Sequence, residues 1–312
     1  MLAFSLSALV AAASLASAAT YKVTDTFIGS SFLTGFVHEA IADPTHVVYV
    51  DASTAQRLNL TYASSNSHPS LGLYDDSALA VQAATLCASG ASNGRRTSRS
   101  WMFATCLKDV ALGQRTGRNV GDNWPANGEV DIIEGVNNQS PNAATLHTTS
   151  GCTQPATRDQ TGTTTGTDCN WQVNGNAGCG VKAPTTNSYG PAFNANGGGW
   201  YVMERTTTYI KVWFWPRNSA TVPAVVKSGA SSIDTSTFGT PFASFVNSSC
   251  DIASHFGPEN IVINLTFCGD WAGNADVYRG SGCPSTCVDY VNNNPSAFKN
   301  AYWDIAALRV YQ

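Results

Sequence analysis

From Gly128 to Gly135 the chain reads Gly-Glu-Val-Asp-Ile-Ile-Glu-Gly, so Glu129, Asp131 and Glu134 are interleaved with aliphatic residues that would otherwise mark a buried strand. Charged side chains are almost never fully buried without a partner, and the β-branched Val130, Ile132 and Ile133 favour strand over helix. Acid chemistry would offset the cost of three carboxyls there. In a strict strand, residues i, i+2 and i+4 share a face, which groups Glu129 with Asp131 and sends Glu134 to the other side. A β-bulge, one extra residue between Asp131 and Glu134, shifts the register by one and returns Glu134 to the face of its partners. Two carboxyls about 5–5.5 Å apart are what retaining glycoside hydrolysis needs, one attacking the anomeric carbon and the other protonating the leaving oxygen. Asp131, between them, can share a proton or hydrogen bond with Glu129, while mutual repulsion favours keeping a proton on the acid. Such a cluster titrates as a unit. On residue types alone, an acidic strand on a solvated face or a calcium-binding edge is the alternative.

Elements able to present that strand are legible along the rest of the chain. Tyr201-Val202-Met203-Glu204-Arg205, Tyr209-Ile210-Lys211-Val212-Trp213-Phe214 and Ile261-Val262-Ile263-Asn264-Leu265 read as strands separated by Gly- and Pro-rich turns. No internal repeat or linker divides them. A single large all-β domain of two curved antiparallel sheets is expected over residues 19–312, with little helix, since sandwiches often exceed the usual domain size. Charged residues are 12% of the chain and the net charge is −4. With no basic run outside residues 65–120, nucleic acid and anionic membranes are not expected partners, and a neutral substrate is more natural.

Glu-x-Asp-x-x-Glu, preceded by Trp124-Pro125 and Gly128, resembles the catalytic signature of glycoside hydrolase family 16 in its bulged, laminarinase-like form. The likeness to secreted fungal endo-β-1,3(4)-glucanases continues from Gly121-Asp122-Asn123-Trp124 to Gln312. It takes in Gly135-Val136-Asn137, Thr145-Leu146-His147-Thr148, Ser188-Tyr189-Gly190-Pro191, Asn196 to Tyr201, Ile210 to Phe214 and Asn264 to Trp271. Thr26-Phe27-Ile28-Gly29 and Ala42-Asp43-Pro44-Thr45-His46 match as well, up to Thr61-Tyr62-Ala63-Ser64. The resemblance implies a β-jelly-roll sandwich whose concave face is a substrate groove, with Glu129 as nucleophile, Glu134 as acid/base and no cofactor or metal. It implies a monomer that acts on β-glucan, cutting β-1,3 and mixed β-1,3/1,4 linkages by double displacement. Sugar rings stack their C–H faces on aromatic rings. Trp124, a short turn before the acidic strand, His147, which resembles the family histidine beside the acid/base, and Trp271, in a Gly-Asp-Trp-Ala-Gly loop, are the substrate-binding candidates. Core filling and structural hydrogen bonding are the plainer roles for such residues. A lectin-like binding protein or a cell-wall transglycosylase on the same fold are the rival functions.

Between Ser65 and Val120 the likeness fails. Arg95, Arg96, Arg99, Lys108, Arg115 and Arg118 crowd a stretch without strand alternation, which does not read as part of a sandwich. Joining each codon's third base to the next two across Ser100 to Gly117 permits the family motif W-P-A-Y-W. A locally frame-shifted segment ending just before Gly121 is therefore expected. The nine cysteines are an odd count, which the shifted frame converts to eight.

Residues 1–18 carry an apolar run closed by Ala16-Ser17-Ala18, the form of a secretory signal cut ahead of Ala19. Secretion without a membrane span or lipid anchor is expected. In an oxidising compartment Cys152, Cys169, Cys179, Cys250, Cys268, Cys283 and Cys287 read as a disulfide framework, with metal binding at Cys283 and Cys287 the weaker reading. Asn59, Asn138, Asn247 and Asn264 open glycosylation sequons, of which Asn59 and Asn247 lie away from the predicted site.

Overall fold

The computed structural model describes residues 20–28, 53, 78–81, 84–85, 108–115, 124–257, 259–263, 266–294, 297 and 304–312. Strands are numbered β1 to β16 in chain order. One seven-stranded sheet has the order β11 (Ser232–Asp234), β1 (Thr20–Phe27), β16 (Leu308–Tyr311), β2 (Ala78–Val81), β9 (Gly199–Arg205), β10 (Tyr209–Pro216) and β12 (Ala243–Val246). The other has the order β13 (Asn260–Ile263), β4 (Lys108–Arg115), β5 (Glu129–Val136), β6 (Ala143–His147), β8 (Cys179–Lys182) and β7 (Thr163–Thr164), with β14 (Thr266–Phe267) also on β4. The short β15 (Asp304–Ile305) pairs with β3 (Ala84–Thr85). These ladders are antiparallel.

Alternation along the strands decides how the sheets stack. On β9, Tyr201 and Met203 enter the inter-sheet core with Ile210 and Val212 of β10, Leu308 and Val310 of β16, and Val130, Leu146 and Val181 of the opposite sheet. Trp200, Val202, Trp213, Trp215 and Tyr311 point the other way, into a second cluster that Ile233 and Phe238 complete. One face of the first sheet therefore closes the sandwich and its other face carries its own apolar cover. Each fully buried side chain of this size contributes roughly 1.5–3 kcal/mol. This is the all-β jelly-roll architecture expected from the sequence.

Two expectations need correction. Helix is confined to short connections of four to seven residues where both ends are described, but the loop holding Trp271 is itself a helical turn, Gly269–Ala272. Gly269 supplies its entry at φ +68°, which costs a glycine no steric strain. The stretch between Ser65 and Val120, read as lacking strand pattern, contributes β2, β3 and β4 to the sheets. β4 lies between β13 and β5, and a ladder on each side holds a backbone that side-chain alternation alone does not mark, because β-propensity is largely set by neighbours. The rest of that stretch, with Arg95, Arg96, Arg99 and Arg118, lies outside the described residues, as do residues 1–18, Asn59 and Asn264.

The disulfide framework is present: Cys152–Cys250, Cys169–Cys179 and Cys268–Cys287 are bonded, and Cys283 is disulfide-bonded too. Asn247 is exposed, with its side-chain oxygen accepting from Ile252 N at 2.7 Å.

Candidate active site

β5 carries the bulge that the spacing of its acids demands. Against β6, Glu129 faces His147, Val130 faces Leu146 and Asp131 faces Thr145, after which Glu134 faces Ala143. Three steps on β5 thus match two on β6. Against β4 the register also skips one residue, since Ile133 faces Leu112 and Asp131 faces Gly113. Ile132 and Ile133 consequently both join Val130 in the inter-sheet core, and Glu134 is returned to the side of Asp131. One oxygen of Asp131, one of Glu134 and a ring nitrogen of His147 all lie within 4.8 Å of one another.

Burial is extreme for such groups. Glu129 and Asp131 are each 1% exposed and His147 6%, while Glu134 is half-buried. His147 Nε2 stands 3.5 Å from Asp131 Oδ2, and its Nδ1 is 2.9 Å from Asn176 Oδ1. The ring thus bridges the Asn176 amide and the Asp131 carboxylate, and a ring with hydrogen on both nitrogens would donate to both oxygens. Trp124 Nε1 donates to Glu129 Oε2 at 2.5 Å. The indole therefore fixes one carboxylate oxygen of Glu129 and with it the orientation of the carboxylate. Asp131, Glu134 and His147 are also the one group among the described residues whose composition and spacing could hold a cation.

Trp124 is held by the turn that feeds β5. Gly128 N donates to Pro125 O at 2.9 Å, and Gly257 N donates to Asn127 O. Gly128 has φ +76°, and a Cβ there would stand 2.5 Å from the Phe256 ring, so only glycine fits. Arg205 in turn secures Phe256 and Gly257 by donating to both carbonyls, and pairs with Glu259 at 2.9 Å.

Two residues at the site were not singled out from sequence. Trp171 packs edge-on against Trp124, with ring centroids 5.1 Å apart and planes at 60°. Asn176 meets His147. Both sit on the loop that the Cys169–Cys179 disulfide closes; an aromatic in a polar, cysteine-bounded loop could have flagged Trp171, whereas Asn176 is one asparagine among many. Next to them Gly178, at φ +61°, leaves room for the His147 ring, since a Cβ would lie 2.9 Å from its Cε1. Trp271 is half-buried on Gly269–Ala272. That turn lies against β4 and is tied to the end of β5 by Asn137 Nδ2 donating to Ala272 O at 3.4 Å.

Comparison with known proteins identifies the family. Residues 118–311 match the profile of the XgeA-like, catalytic domain of glycoside hydrolase family 16. A relative from Aspergillus fumigatus named "Probable endo-1,3(4)-beta-glucanase" is 38% identical over 312 residues, covering 94% of this chain and 46% of its own. The chain thus spans about half the length of the curated relatives it matches. Among solved structures, Laminarinase 16A from Phanerochaete chrysosporium, with 6-O-glucosyl-laminaritriose in donor and acceptor sites, is 50% identical with a TM-score of 0.84, covering 94% of this chain and 100% of its own. An elongating family 16 β-1,3-glucosyltransferase is 34% identical with a TM-score of 0.76 and the same coverage. The chain belongs to glycoside hydrolase family 16.

Proposed function

We propose that this chain is an endo-glucanase that hydrolyses β-1,3-glucan, and mixed β-1,3/1,4-glucan, by double displacement. The observation that carries the reading is the bulged β5, which sets Asp131, Glu134 and His147 within 4.8 Å of one another on the strand that bears Glu129. Glu129, one oxygen held by the Trp124 indole, attacks the anomeric carbon. Glu134, less buried than its partners, gives a proton to the departing glycosidic oxygen and then takes one from the incoming water. Asp131 lies between them, and a protonated His147 would offset its charge when Glu129 is released. Trp124 and Trp271 are the proposed sugar-stacking rings. The match to a laminarinase that holds β-glucan oligosaccharides supports the substrate class. No cofactor enters this scheme, and the proposed acting unit is a monomer.

Glu129→Gln keeps the shape and removes the nucleophile. Reducing-sugar release from laminarin should fall to background while laminarin binding persists; full activity in this variant would refute the assignment, and an α-configured first product by NMR would refute double displacement. Transglycosylation is the second reading, favoured by the likeness to the glucosyltransferase. Products longer than the starting oligosaccharide would identify it. Secretion is proposed from residues 1–18, and protein recovered from medium should begin at Ala19. For residues 65–120 we retain the frame-shift proposal, which the start of the family match at residue 118 supports; transcript sequence encoding the chain as written would end it.

A further inference from the structure

The bulge that delivers Glu134 breaks the ladder between β5 and β6, leaving backbone groups of β5 without strand partners. A bulged residue normally remains unpaired, and an unpaired buried peptide group is costly. Here one side chain meets the deficit. Asn142, fully buried one residue before β6, accepts from Glu134 N through Oδ1 at 3.0 Å and donates from Nδ2 to Ile132 O at 2.9 Å. Its amide thus presents to the bulge the donor and acceptor that a passing strand would have presented. Asn142 is itself fixed at both backbone groups, with its N–H donating to Ser188 Oγ at 2.9 Å and its carbonyl accepting from Ala183 N at 2.9 Å. Ser188 Oγ donates onward to Thr185 O at 2.7 Å, and Tyr201 in the core donates to Ser188 O.

We infer that Asn142 is the positioning residue of the acid/base: it clamps the bulge open by one residue and thereby fixes which way Glu134 points. Resting on the hydrolase reading above, the assignment extends it to a residue that touches neither substrate nor reacting atoms. Only Asn has the required donor and acceptor at this reach. Asp keeps the shape but turns the donor into a carboxylate oxygen facing Ile132 O, Leu keeps the volume and loses both bonds, and Gln is one methylene too long.

The test separates a mispositioned acid from a damaged fold. With a poor leaving group such as the glucosyl oxygen of laminarin, the glycosylation step needs the proton of Glu134; with 2,4-dinitrophenolate it needs none. In the full chain, Asn142→Asp and Asn142→Leu should lower kcat/KM on laminarin about 100-fold, the lower range of general acid catalysis. On 2,4-dinitrophenyl β-laminaribioside, kcat/KM should change less than about 3-fold on the same scale. Azide should raise kcat of the variants on the aryl substrate, attacking the anomeric carbon as the Glu129 carboxylate leaves, and give the β-glycosyl azide. Equal losses on both substrates, or no loss on either, would overturn the inference. Failure of both variants to fold would overturn it as well, by making the amide a determinant of the fold. A wild-type chain that cleaves neither substrate would refute the hydrolase reading itself, before any variant is compared, and this inference with it.

Discussion

Two disulfides allow stability and catalysis to be pulled apart. Cys152–Cys250 spans 98 residues of sequence and Cys169–Cys179 spans 10. By chain entropy, opening loops of these sizes in the folded-to-unfolded balance costs about 4.7 and about 2.7 kcal/mol at 25 °C, respectively. For a chain of this size, each kcal/mol moves Tm by about 1.5–2 °C, so Cys152→Ser with Cys250→Ser should lower Tm by roughly 7–10 °C and Cys169→Ser with Cys179→Ser by roughly 4–6 °C. Activity should rank the other way. The smaller loop carries Trp171, packed on Trp124, and Asn176, bonded to His147, so releasing it should cost about 10- to 100-fold in kcat/KM on laminarin, as small misplacements of catalytic groups do. Opening the larger loop should leave kcat/KM within about 2-fold at 25 °C, where the remaining stability still keeps the chain folded. Thermal melts by circular dichroism and initial rates on laminarin provide both orders. Activity losses that follow the Tm losses, or an unchanged rate after opening Cys169–Cys179, would refute the reasoning.

Gly178→Ala places a Cβ 2.6 Å from Leu146 O and 2.9 Å from His147 Cε1; it should lose about 1–3 kcal/mol of stability to left-handed strain and lose activity too. Gly175→Ala, at φ +64° with nothing within 4 Å, should share the loss of Tm and keep the rate, and equal rates in the two variants would count against the crowding of His147. At high pH the fold should fail through the tyrosines around Glu204, whose Oε1 accepts from Tyr21, Tyr209 and Thr235. Burial, then the nearby Glu204 carboxylate, pushes the Tyr209 hydroxyl up to about 12, and burial with the Glu204 hydrogen bond pushes Tyr21 well above its usual range. Because folding raises both, their contribution is whole below about pH 10, the unfolded value; the Tyr209 part is lost as pH rises through about 12, and the Tyr21 part at higher pH still. Absorbance at 295 nm should therefore show part of the tyrosine signal appearing only with loss of near-ultraviolet circular dichroism; complete ionisation near pH 10 in a folded protein would contradict this.

The acidic strand was readable because its two constraints conflict. Three carboxyls in an aliphatic run call for one shared face, and the period of two denies it to Glu134, so a bulge was the economical resolution and Ile132 with Ile133 the place for it. Tyr201 to Arg205 and Tyr209 to Phe214 were likewise legible as strands, whereas the apolar cover on both faces of their sheet emerges only from the structure. What supports the acids was not readable. Asn142 and Asn176 act through side-chain amide hydrogen bonds created by tertiary approach, two for Asn142 and one to His147 for Asn176, and nothing local distinguishes them from the other asparagines of a polar, turn-rich chain. β4 was missed for a related reason: its strand state comes from β13 and β5 on either side, a non-local cause that its own sequence does not carry.

The role assigned to Glu129 can be read directly by trapping. Incubation with 2,4-dinitrophenyl 2-deoxy-2-fluoro-β-laminaribioside, followed by proteolysis and tandem mass spectrometry, should place one fluoroglycosyl group on Glu129, with turnover lost in step. A label on Asp131 or Glu134, or continued turnover with no adduct, would contradict the account.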